Sequence, residues 1–234
     1  MNKYIQPTNA LLLQSMLCVG LLGFRYLFTG WQIIDWGSPQ IVVNSRGITF
    51  LFLVWNLLLA WVPYWLAGSL KDKPLKYGLP LLALWLLFFP NAPYIITDLM
   101  HIKARHPVPT WYDAMLIFSF AWTGLLLGVS SLHKARKWVS SHFGWVAGNF
   151  FSAIAILLCG FGLYLGRFLR WNSWDLFTQP LRLAESIIDL VAHALSHPIM
   201  LVVTLAFTLI MGGSYTVMLA IAQDFITPNK NENE

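Results

Sequence analysis

The densest run of residues with chemical potential is 88–101, Phe-Phe-Pro-Asn-Ala-Pro-Tyr-Ile-Ile-Thr-Asp-Leu-Met-His. Asp98 and His101 are three apart, which is one face of a continuing helix. A carboxylate beside an imidazole could tune a general base, contribute to a metal site, or form a simple hydrogen-bonded pair. Pro90 and Pro93 each remove a backbone donor and crowd the preceding turn, so a kink or partial unwinding is expected there. Asn91 lies between them. It could cap a freed carbonyl, or it could belong to an unwound segment that lines a site.

A second string, 162–175, reads Gly-Leu-Tyr-Leu-Gly-Arg-Phe-Leu-Arg-Trp-Asn-Ser-Trp-Asp. Arg167 and Arg170 fall where a helix C-terminus favours cations, and Trp171 and Trp174 suit a headgroup layer. The planar guanidinium fits carboxylates and phosphates. The expected partners are Asp98, Asp113 or Asp175, or else a phosphate-bearing lipid or solute. A third pattern is Glu185, Asp189, His193 and His197, each four apart. On one helix they would form a polar stripe, and neighbours could share an ion. Its ends would stand about 18 Å apart at ~1.5 Å per residue, too far for one metal. An amphipathic helix lying on the bilayer accounts for the same stripe, and no stoichiometric metal is expected.

These groups need elements to position them, and the composition says which kind. Of 234 residues, 57% are hydrophobic and only 11% charged, against roughly 25% charged in soluble domains. A water-facing surface of this size cannot be built from so few charges. Six runs, 10–28, 48–67, 78–97, 113–132, 145–166 and 198–222, are apolar enough and about long enough to cross a bilayer as helices. The expected fold is therefore all-α: a polytopic bundle of about six spans, with a kinked third span and an interfacial helix before the last. Residues 1–227 form one membrane domain, and 228–234 a polar tail. The N-terminal apolar run reaches Arg25 without a small-residue cleavage site and reads as a retained span. Cys18 and Cys159 both fall in apolar runs and offer no disulfide or metal-thiolate spacing. Asn56 and Asn149, inside spans, read as hydrogen-bonding glue between helices.

A net charge of +5 suits span-flanking residues better than nucleic acid, for which no solvated basic patch with stacking aromatics exists. Lys71, Lys73, Lys76, Lys134, Arg136 and Lys137 share one side with Lys3 and Lys230. That side, with both termini, is expected to be cytoplasmic. Arg46, Lys103, Arg105, Arg167, Arg170 and Arg182 fall on the other side, together with Asp35, Asp98, Asp113, Asp175, Glu185 and Asp189.

The strings Phe-Pro-Asn-Ala-Pro-Tyr-Ile-Ile-Thr-Asp-Leu (89–99), Trp-Tyr-Asp (111–113) and Gly-Arg-Phe-Leu-Arg-Trp-Asn-Ser-Trp-Asp (166–175) resemble a bacterial membrane-protein family catalogued as domain of unknown function 1361. The likeness covers roughly residues 50–220. It implies a multi-pass bacterial membrane protein and supplies no activity, but it implies that the three strings belong together; the location expected from the whole reading is a bacterial inner membrane. The expected outward-facing site comprises Asn91, Asp98, His101, Trp111, Asp113, Arg167, Arg170, Asn172 and Asp175. Three classes compete for it. An enzyme on a membrane lipid or polyprenyl-linked substrate would use Asp98 and His101 for acid–base or metal work, with the arginines holding phosphate. A non-catalytic accessory or sensor protein needs only a stable bundle that binds a partner. A small-solute transporter would use the broken third span, although charge within the spans is nearly absent. No cofactor motif and no signal for an oligomeric state is present.

Overall fold

The computed structural model describes residues 6–28, 50–104 and 108–226. Lys3, Asp35, Arg46, Arg105, Lys230 and the polar tail lie outside the described residues. The elements follow as α1 (Pro7–Phe28), α2 (Leu51–Ser69), α3 (Leu75–Phe88), the single turn α4 (Asn91–Tyr94), a 3-10 segment (Ile95–His101), α5 (Thr110–Phe143), α6 (Trp145–Phe168), the turn α7 (Asp175–Thr178), α8 (Pro180–Ala192), a 3-10 turn (Ala194–Ser196) and α9 (Pro198–Ile226). Six helical stretches are long and apolar enough to cross a membrane, and the chain is a multi-pass membrane protein. Large apolar side chains such as Leu13, Met16, Trp55, Phe150, Val202 and Leu209 stand more than half exposed, as a lipid-facing surface requires.

Local chemistry sets the breaks. Pro7, Pro180 and Pro198 each open a helix, where the missing N–H is harmless and φ is already helical. Regular α-helix stops at Phe88, and the chain resumes as a single turn and then a 3-10 run, consistent with Pro90 and Pro93 removing donors there. Gly144, at φ +88°, reverses the chain between α5 and α6, a backbone state other residues rarely adopt. α5 has 34 residues, about 51 Å at ~1.5 Å per residue, which exceeds a ~30 Å hydrocarbon core. Its last turns, bearing Lys134, Arg136 and Lys137, therefore need not lie in lipid.

Two compact units result: residues 1–63 with 91–128, and residues 64–90 with 129–234. In the first, Cys18 contacts the Thr123 hydroxyl at 3.2 Å, Trp61 donates its indole N–H to Ser15 Oγ at 3.1 Å, and the Tyr112 hydroxyl donates to the Leu21 carbonyl at 2.7 Å. Phe50, Leu53, Ile117 and Phe120 are fully buried among them. Gly124 sits where a Cβ would collide with the carbonyl of Ala92. In the second unit, fully buried Trp85 stacks on Phe89 and meets Phe151. α6 and α9 approach closely at Gly160, where a Cβ would strike the backbone of Thr204. Tyr164, Leu190 and Met200 form a cluster that seats α8 against both of those helices.

Candidate functional site

In the first unit, the polar residues gather where α1 ends, α2 begins, the 3-10 segment closes and α5 opens. Arg25 lies in the last turn of α1 and Asp113 in the first turn of α5, so each charge also suits its own helix dipole. They form a two-pronged ion pair, Nε to Oδ1 at 2.7 Å and Nη2 to Oδ2 at 3.2 Å. Arg25 is 1% exposed and Asp113 0%. The guanidinium also stands over the Phe50 ring, with Cζ 4.5 Å from the centroid. The sequence offers Asp113, together with Asp98 and Asp175, as a candidate partner for Arg167 or Arg170. The structure gives Asp113 a bidentate contact with Arg25, a residue outside that set. A charge this deeply buried needs a carboxylate that can accept both prongs at once, and the helix ends deliver one.

Asp98, also 0% exposed, accepts a hydrogen bond from Asn56 Nδ2 at 2.8 Å. Asn56 thus acts as the interhelical glue expected of it. His101 shares a face with Asp98, because a 3-10 segment repeats every ~3 residues. It is half-buried, with its ring edge-on to Phe52 at 5.5 Å. Asn91 opens α4 half-buried, and Trp111 is 64% exposed, its ring edge-on to Tyr112 at 5.8 Å.

The second unit holds the remaining expected site residues. Arg167 is half-buried in the last turn of α6, and Arg170 is exposed. Arg170 takes a left-handed backbone, φ 61°, and the Trp171 N–H closes on the Leu165 carbonyl at 3.1 Å. The α-helix therefore ends on an arginine where glycine is usual. Asp175 is consumed by its own turn: it accepts from the Asn172 backbone N–H at 2.7 Å, from Asn172 Nδ2 at 3.4 Å and from Thr178 Oγ1 at 3.1 Å. Ser173 donates to the Leu87 carbonyl at 3.1 Å. It thereby satisfies one of the acceptors orphaned where α3 ends. Among the described residues Arg170 makes no ion pair. Asn149, the other intramembrane asparagine, accepts from Arg136 Nε at 2.9 Å.

The four-residue stripe does not ride on one helix. α8 ends at Ala192, and His193 and His197 lie beyond it, flanking the 3-10 turn Ala194–Ser196. Pro198 disfavours α-helical geometry at His197, the residue before it, so an α-helix could not have carried the stripe through to His197. The turn folds both imidazoles back onto Asp189, at 3.0 Å from His193 Nδ1 and 3.7 Å from His197 Nε2, while Glu185 remains exposed. Leu183 and Leu190 are buried, whereas Leu181, Ile188 and Val191 on the same helix are exposed.

Sequence reasoning missed Arg25 and Asn56 as members of the polar end of the first unit. A signal was available: Arg25 and Asp113 are opposite charges in otherwise apolar spans, and such residues usually pair with one another. No curated protein and no solved structure matches the chain. Residues 55–212 match the family described as Protein of unknown function (DUF1361), and the chain belongs to that family.

Proposed function

We propose that this membrane protein binds the phosphate of a lipid headgroup, polyprenyl phosphate being the type, at the end of α6, without acting on it chemically. Arg167 and Arg170 would hold the anion, with Trp171 and Trp174 in the headgroup layer. One observation carries the reading. Arg170 is exposed and makes no ion pair among the described residues, while Asp175, five residues on, is saturated by its own turn. Binding rather than catalysis is supported by Asp98, which is fully buried and held by Asn56, a poor situation for a group that must reach a substrate proton. On this reading the chain resides in a bacterial inner membrane with both termini cytoplasmic, as the loop lysines suggest. α8 lies at the outer interface, its exposed leucine, isoleucine and valine toward lipid and Glu185 and Asp189 toward water.

A photoreactive polyprenyl phosphate, presented to the full chain in nanodiscs, tests the proposal. Labelled peptides should map to 165–178, and Arg167→Gln with Arg170→Gln should remove most of the label. A phosphate-free polyprenol probe should not label the segment. Undiminished labelling in the double variant, or equal labelling by the uncharged probe, would refute it.

A further inference from the structure

A cleft of about 470 Å³ opens in the second unit, lined in part by Lys71, Asp72, Lys134, Lys137, Trp138 and Ser141. That volume is ordinary for a small-ligand pocket. None of these residues belongs to the arginine segment at the end of α6. We propose that this cleft is a binding site for a phosphate-bearing group, either the headgroup of an anionic lipid or a soluble phosphate ester.

The cleft has a fixed floor. Trp138 is 4% exposed and donates its indole N–H to the Lys73 carbonyl at 2.9 Å, which ties the α2–α3 turn to α5. Gly78 makes room for the indole, since a Cβ there would collide with its six-membered ring. The turn itself is tight, with the Lys73 N–H on the Leu70 carbonyl at 3.0 Å and Asp72 held left-handed at φ 59°. On the α5 side, Lys134, Lys137 and Ser141 recur at helical spacing on one face. The ammonium of Lys134 rests on the Tyr64 ring, 3.2 Å from its centroid. A cation–π contact of this kind fixes the ammonium in place and leaves its charge unneutralised.

Charge decides the ligand class. Three lysines face one aspartate, and among the described residues none of the three makes an ion pair. The lining therefore carries an excess of about two positive charges, which matches a phosphate monoester. The Ser141 hydroxyl donates to the Trp138 carbonyl at 2.8 Å, which leaves its oxygen lone pairs but no proton for a ligand. The lysines must then supply the anion's donors. Basic pockets at the ends of membrane helices are a recurrent headgroup-binding arrangement. Ordinary topology lysines need no cavity, no buried indole floor and no aromatic rest for one ammonium, and this cleft has all three.

The test uses the full chain in phosphatidylcholine nanodiscs, titrated in parallel with phosphatidic acid and with glycerol 3-phosphate. Lys134→Gln with Lys137→Gln should weaken the bound species about 30-fold, as removal of two near-surface cations predicts. Lys73→Gln with Lys76→Gln removes the same charge from the same end outside the cleft and should change binding less than about threefold. Lys134→Arg with Lys137→Arg should retain most of the affinity, which separates lost charge from lost folding. Asp72→Asn should tighten binding. Response to phosphatidic acid alone identifies a lipid headgroup, and response to both probes a soluble ester. Equal losses in the two glutamine pairs would reduce the effect to diffuse surface attraction and overturn the site, as would binding of neither probe or weaker binding in Asp72→Asn.

Discussion

The two units treat their charges in opposite ways. In the first, Arg25 and Asp113 are almost entirely sequestered and neutralise one another through two parallel contacts, and Asp98 is equally buried against Asn56. In the second, Lys71, Lys137 and Arg170 are exposed and among the described residues make no ion pair. Buried charge demands a partner inside the protein, because lipid and packed side chains cannot solvate it. Exposed charge at a helix end is solvated already, so it remains available to an external anion. The first arrangement holds a fold together, and the second is the kind from which binding sites are made.

The comparison breaks most readily at the buried pair. Asp113→Ala should destabilise the protein by about 3–5 kcal/mol, because it strands the Arg25 guanidinium. Arg25→Met combined with Asp113→Leu should lose far less than the two single losses added together. Thermal unfolding in detergent measures both, and strictly additive losses would mean that the pair is not coupled. A smaller effect is expected at Asn56→Leu, which removes one hydrogen bond to the buried Asp98 carboxylate. The loss should be about 1.5–3 kcal/mol, and a supplementary Asp98→Asn change should recover part of it by discharging the stranded group. The least effect on stability is expected in the second unit. Lys137→Gln should shift stability by no more than about 0.5 kcal/mol in either direction, as exposed substitutions usually do. A drop comparable to that of Asn56→Leu would show that the cleft lysines are structural and erase the contrast between the units.

The two strings that looked most chemical fared differently for reasons visible in particular residues. Asp98 and His101 do share a face, because their spacing of three suits a 3-10 segment as well as an α-helix. The stripe of Glu185, Asp189, His193 and His197 does not ride on one α-helix, because α8 ends at Ala192 and Pro198 disfavours α-helical geometry at His197. Asp175 looked like a partner for an arginine, but a side chain beginning a turn can satisfy itself on its neighbours, as its contacts to Asn172 and Thr178 show. The lysine cleft was not legible at all. Lys71 and Lys134 are 63 positions apart, and only the seating of Trp138 on the α2–α3 turn creates the space between them.

Membrane residence and the helical class follow from sequence alone, since they depend on runs of about 20 apolar residues whose backbone groups can bond only within the segment. Where helices start is equally local, written in Pro7, Pro180 and Pro198. Which charges meet is not local. Arg25 and Asp113 are 88 positions apart; their opposite charges in apolar spans mark them as candidates for pairing, but only the meeting of α1 with α5 selects this carboxylate over Asp98. That choice belongs to tertiary packing, which decides the charges it will bury and therefore must pair, and the charges it leaves exposed and free to bind.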